Sequence, residues 1–143
     1  MKQKKFMSIF FWVFFLLSLS PLMSPGKVHS SEVTGDIFQI EWKLNAKGKS
    51  EKLEITIFPK GDIHCNLEYP WKISVTDASK IQFSKDRYSK EDATIFSNAK
   101  VQFNLPILKR KKGGKSTLEI KFSMCNSTQC FMKKVPIEYI ASY

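Results

Sequence analysis

From Asp36 onward, apolar and polar residues alternate with a period of two. In "DIFQIEWKLN", Phe38, Ile40, Trp42 and Leu44 fall on one face, with Gln39, Glu41 and Lys43 on the other. "KLEITIF" repeats the pattern with Leu53, Ile55 and Ile57, and "WKISV" with Trp71, Ile73 and Val75. "KVQFNLP" gives Val101, Phe103 and Leu105, and "STLEIKFSM" gives Leu118, Ile120, Phe122 and Met124. "KKVPIEYIA" closes the series with Val135, Ile137 and Tyr139, while "KIQF" at Ile81 to Phe83 is a weaker seventh run. Each run predicts a strand with one buried face, because successive side chains in a strand point to opposite sides. The breaks are turn chemistry: "NAKGKS", "PKGD", "KKGGKS" and the polar stretch "SKDRYSKEDAT". No long segment carries helical periodicity. About seven short antiparallel strands separated by turns predict an all-β, immunoglobulin-like β-sandwich.

The N-terminus stands outside this pattern. Lys2, Lys4 and Lys5 precede the apolar run "IFFWVFFLL" (Ile9 to Leu17), then Pro21, Pro25 and a small-residue site ahead of Ser31. That order of parts predicts a signal peptide over residues 1–30 and one domain over residues 31–143. An uncleaved membrane anchor is the alternative, since Phe6 to Met23 is about long enough to span a bilayer. Export predicts a periplasmic or secreted bacterial protein in an oxidising compartment. It also changes the charge. The whole chain carries 23 basic and 13 acidic residues, and removing the four leader lysines leaves +6. A domain this mildly basic is a poor candidate for binding nucleic acid.

Three cysteines remain, an odd number, so at most one intramolecular pair forms. Cys125 and Cys130 flank the four-residue loop Asn-Ser-Thr-Gln, a common hairpin length. Directly opposed residues of an antiparallel pair have Cα atoms about 4.5 Å apart, at the short end of what a disulfide spans. As a staple such a bond is inefficient. Chain entropy gives about 2 kcal/mol for a six-residue loop, against about 4 for the loop from Cys65 to Cys125. Strained or exposed disulfides are also the more oxidising ones, which suits redox chemistry. A metal clip is a third option, with His64 and Cys65 completing a Cys3His set. Spacing alone leaves staple, clip and redox centre open.

Two segments together carry a resemblance. "FSMCNSTQCFMKKVPIEY" is similar to the segment in which DsbD-type thiol:disulfide interchange proteins hold the cysteine pair of their N-terminal immunoglobulin-like domain. "HCNLEYPWKISV" resembles a Tyr-Pro-hydrophobic segment of small secreted relatives of that domain. The likeness runs from about Ile37 to Tyr139. It implies an exported thiol–disulfide exchange domain with Cys125 and Cys130 as the exchanging pair. It also implies a protein partner, thioredoxin-like or a membrane electron carrier, and no cofactor or metal. An aromatic cap over the pair is part of that family's pattern, with Tyr69, Trp71, Tyr88 and Phe131 as candidates here. "FMKK" departs from the family's proline-rich continuation, and its membrane-embedded and thioredoxin-like domains have no counterpart in these 143 residues. The competing expectation is a non-catalytic binding module with a structural hairpin disulfide.

Four other features weigh less. Cys65 reads as a buried free thiol, the alternatives being an intermolecular bond or pairing with Cys125. His64 reads as a surface residue. "KRKKGGK" (Lys109 to Lys115) reads as a solvated hairpin turn or, more sharply, as a docking point for an anionic partner or phospholipid surface. "NST" at Asn126 fits a glycosylation sequon, a loop marker in a eukaryotic source. No phosphate loop, Ser/His/Asp set or pair of catalytic carboxylates is present to support hydrolase or transferase chemistry.

Overall fold

The alternating runs form the strands they predict, and the computed structural model describes residues 30–141. Among these residues there are eleven strands: β1 (Ser30–Thr34), β2 (Phe38–Lys47), β3 (Ser50–Pro59), β4 (His64–Cys65), β5 (Lys72–Asp77), β6 (Ile81–Phe83), β7 (Arg87–Ser89), β8 (Ala93–Phe96), β9 (Val101–Arg110), β10 (Lys115–Cys125) and β11 (Cys130–Ile140). They form two antiparallel sheets packed as an immunoglobulin-like sandwich, as the alternation predicts. The expected signal peptide and the alternative anchor lie outside the described residues, except for Ser30, which opens β1. Among the described residues no helix is long and apolar enough to cross a membrane.

The first sheet runs β1-β2-β3-β9, and the far side of β9 is shared by two short strands. β8 pairs with its first half (Val101 to Phe103) and β6 with its last (Ile107 to Arg110). The second runs β11-β10-β5-β7. Here β10 has β11 along one side, with β5 and then β4 along the other. Register places the apolar faces together: Ile40 opposite Ile57, Trp42 opposite Ile55, and Ile55 in turn opposite Phe103. Gly48, at φ +62°, lets the two-residue β2–β3 turn close in a conformation that side chains rarely adopt.

Four strands, β1, β4, β7 and β8, are not among the predicted runs. The stretch Ser84–Thr94, expected to be a turn, holds β7, a 3-10 turn (Lys90–Asp92) and the start of β8. One buried aromatic organises it. Tyr88 is 3% exposed, and its hydroxyl lies 3.1 Å from Ser84 Oγ and accepts the Lys85 N–H. Asp92 accepts the Ser89 N–H and pairs with Lys85. A single inward residue gives no period to read, which is why hydrophobic alternation misses such strands.

The sheets meet through an aromatic cluster. Phe122 of β10 contacts Phe38 edge-on at 5.1 Å between centroids, and Trp71 at 5.5 Å. Trp71 packs edge-on against Phe96 at 6.0 Å. Its indole N–H donates to the Asn66 carbonyl at 2.7 Å, so a buried polar group is satisfied. Phe122→Ala leaves a cavity between the sheets and is expected to cost about 3–5 kcal/mol, measured as a fall in urea midpoint at unchanged slope.

Candidate functional site

β10 and β11 pair without a break over eleven rungs, from Lys115 opposite Ile140 to Cys125 opposite Cys130. The loop beyond the last rung satisfies its own polar groups. Asn126 N–H donates to the Gln129 carbonyl at 3.0 Å, and the Asn126 side-chain oxygen accepts from the Thr128 N–H, the Thr128 hydroxyl and the Gln129 N–H. This is the local turn chemistry of asparagine, and it fixes the hairpin end. Cys125 and Cys130 are bonded there, with Cα atoms 4.0 Å apart. The two sulfurs sit differently, because β4 lies beside β10 and leaves Cys125 6% exposed while Cys130 is open to solvent.

Alternation decides what surrounds this bond. Lys121 and Lys134 share its side of the sheet, but Lys134 is four residues from Cys130, about 13 Å along a strand. Both lysines are engaged with Glu119, at 3.6 and 2.9 Å, which holds that carboxyl below its ordinary range. Lys133 points to the opposite face. None of these cations is placed to lower a thiol pKa at the pair. A thiolate attacking the open Cys130 sulfur would expel Cys125 as a thiolate at a buried position, an unfavourable leaving group.

The aromatic cap does not form. Trp71 and Tyr88 are core residues, and Tyr69 packs partly buried against the core. Phe131 adjoins Cys130 but alternation sends its ring to the other face. The metal alternative also fails on geometry. Cys125 and Cys130 are consumed by their bond, and exposed His64 and buried Cys65 are neighbours on β4 that face opposite ways. Among the described residues no three metal-capable side chains come together.

Cys65 is free and 1% exposed, packed in the core opposite Met124. Burial pushes its thiol up to about 11. It lies one rung from Cys125, yet its side chain faces inward while the disulfide faces outward, so the long-range pairing is not made. Sequence reasoning overlooked that β11 is an edge strand. Pro136, which can donate nothing to a ladder, was the available signal.

No family model matches the chain, and no curated protein matches it. Solved structures similar to the chain include two GAE domains. One is the GAE domain of yeast GGA1, at 11% identity and TM-score 0.48 over 78% of this chain and 98% of that one. The other is the GAE domain of GGA2p from Saccharomyces cerevisiae, at 14% identity and TM-score 0.45 over 78% and 97%. Neither is a thiol:disulfide interchange domain, and the expected membership of the DsbD-type family is corrected accordingly. The function drawn from it, exchange through Cys125 and Cys130 with a thioredoxin-like partner or a membrane electron carrier, falls with it. The two motifs that carried the likeness are short. Their cysteine spacing is what any two strands need to be bonded across a four-residue hairpin loop.

The hairpin is held by its ladder as well as its bond. Reducing the bond is therefore expected to lower stability by only about 2 kcal/mol, measured by urea unfolding with and without reductant. Cys65 gives a separate alkaline signature. Its folded pKa lies above the ordinary value of 9.0, so its contribution is complete below about pH 9 and is lost as pH rises through about 11. Unfolding free energy is expected to decline over that window, and Cys65→Ala to remove that part of the decline.

Proposed function

We propose that the chain is an exported, non-catalytic protein-binding module, and that its partner adds an extended segment along the outer edge of β11. The observation that carries this reading is the length and openness of that edge. β11 has eleven residues and ends its sheet, so among the described residues only β10 pairs with it.

The direction of its backbone groups follows from bonds at both ends. Asn126 and Gln129 form a bonded rung, Ala141 bonds with Gly113 and Gly114, and the Ser123 carbonyl turns away from β11 to accept the Asn66 N–H. Rungs alternate between these points. The main-chain groups of Cys130, Met132, Lys134, Pro136, Glu138 and Ile140 therefore face outward. Pro136 occupies one of the outward positions, where its missing N–H breaks no bond of the ladder. An added strand would take its affinity from the outward amides and carbonyls. Its selectivity would come from side chains beside the exposed Met132 and Ile140, 74% and 54% accessible. Lys134 and Pro136 are also residues that keep edges from pairing indiscriminately, which favours a chosen partner over self-association. The Cys125–Cys130 bond then serves to fix one end of the docking strand, and its presence suits an oxidising compartment.

Peptides selected from an extended-peptide display library provide the test. Ligands that add a strand are expected to slow hydrogen exchange at the amides of Met132, Lys134 and Glu138. Lys134→Pro should weaken them by up to about tenfold, since it removes one outward donor and leaves the β10 ladder intact. Protection confined to the other sheet would refute the reading.

A further inference from the structure

We propose that the lysine-rich end of the sandwich is a docking surface for an anionic phospholipid bilayer. This goes beyond the protein-binding reading and rests on different residues. The end is formed by the β2–β3 turn, the β5–β6 connection and the β9–β10 turn. It presents Lys47, Lys49, Lys80, Lys109 and Lys111, all exposed. Among the described residues, the acidic side chains there are already engaged. Glu51 accepts two bonds from Arg110, at 2.7 and 2.8 Å, and Glu138 is paired with Lys115. Asp77 accepts the Ser79 N–H at 3.0 Å and feels Lys80 and Lys115. The sequence run "KRKKGGK" is thus one part of a larger cationic face assembled from three separate turns.

Two further observations favour a bilayer over an acidic protein surface. The first is an apolar residue held out among the lysines. Gln82 pairs with Lys109 while Phe83 pairs with Ile107, so Leu108 is the extra residue of a bulge, 64% exposed. Bulges re-aim a side chain in this way. Beside it, Lys80, Lys109 and Lys111 line an open cleft of about 220 Å³, large enough to admit a phosphate-bearing headgroup. Cations around a protruding apolar side chain match the chemistry of a charged membrane interface, where the two attractions act together.

The second is where the rest of the chain leads. Ser30 sits opposite Lys43, and β1 runs antiparallel to β2, so the chain enters β1 from the side of the lysine-rich end. The apolar run Ile9 to Leu17 precedes it by twelve residues, a reach of at most about 40 Å. While that run is attached and lies in a bilayer, this end of the domain is within reach of the surface.

The test uses the full chain with Leu108→Cys carrying an environment-sensitive fluorophore. Native labelling spares the buried Cys65 and the bonded pair. Mixed phosphatidylcholine–phosphatidylglycerol vesicles are expected to shift the label's emission to the blue. Phosphatidylcholine alone should not, and high salt should reverse the shift. Adding Lys49→Glu, Lys109→Glu and Lys111→Glu should weaken the response by at least about tenfold, with the circular dichroism spectrum showing the fold retained. Because the label reports on this end alone, insertion of the N-terminal run by itself does not mimic the result. An equal shift with both vesicle types, no shift with either, or a shift with soluble polyglutamate but not with vesicles would overturn the proposal.

Discussion

One buried hydrogen bond, from the Trp71 indole to the Asn66 carbonyl, links the core of this protein to its surface. Trp71 lies against Phe122 between the sheets, and the bond holds the segment after β4 to the cluster. Asn66 in turn donates its own N–H to the Ser123 carbonyl, and its side-chain amide lies 3.4 Å from Ser123 Oγ. Those contacts lay the β4 segment along the last rungs of β10. They bury Ser123 and cover Cys125, leaving only Cys130 open. The asymmetry of the disulfide is therefore a consequence of where an aromatic residue packs in the core.

The fold was legible because most of its strands bury one face and expose the other. Phe38, Ile40 and Trp42, or Leu118, Ile120 and Phe122, declare a strand by spacing alone. β7 and β8 were not legible, since Tyr88 is a lone inward residue among charges. β4 is two residues long and exists only because β10 has room beside it. The bonded pair could be read from the hairpin spacing of Cys125 and Cys130, but its role could not. What separates a reactive pair from an inert one is the burial of each sulfur and the cations within a few ångströms, and both depend on strands distant in sequence. Short motifs around the cysteines suggested a family that the comparisons do not bear out.

Charge is distributed with similar dependence on register. The alternation that sends Lys121 and Lys134 to one face also brings them to Glu119, where they are largely neutralised. Lysines in the turns, among them Lys49, Lys80 and Lys111, gather at one end of the sandwich. A net charge spread over the whole chain thus becomes local, through turn position more than through any single run of basic residues.

The disulfide has a topological effect as well as a thermodynamic one. An edge strand joined to its sheet by one short loop is readily traded between copies of a protein, because that loop can straighten into a hinge. Here the hinge is closed: Cys125 and Cys130 tie the two strands together at the loop itself. While the bond is intact β11 can fray from Ile140 inward, but it meets a covalent stop at Cys130. It cannot be handed to a neighbour in the way that a loop-linked strand can, so β11 stays with its own chain however open its outer edge is.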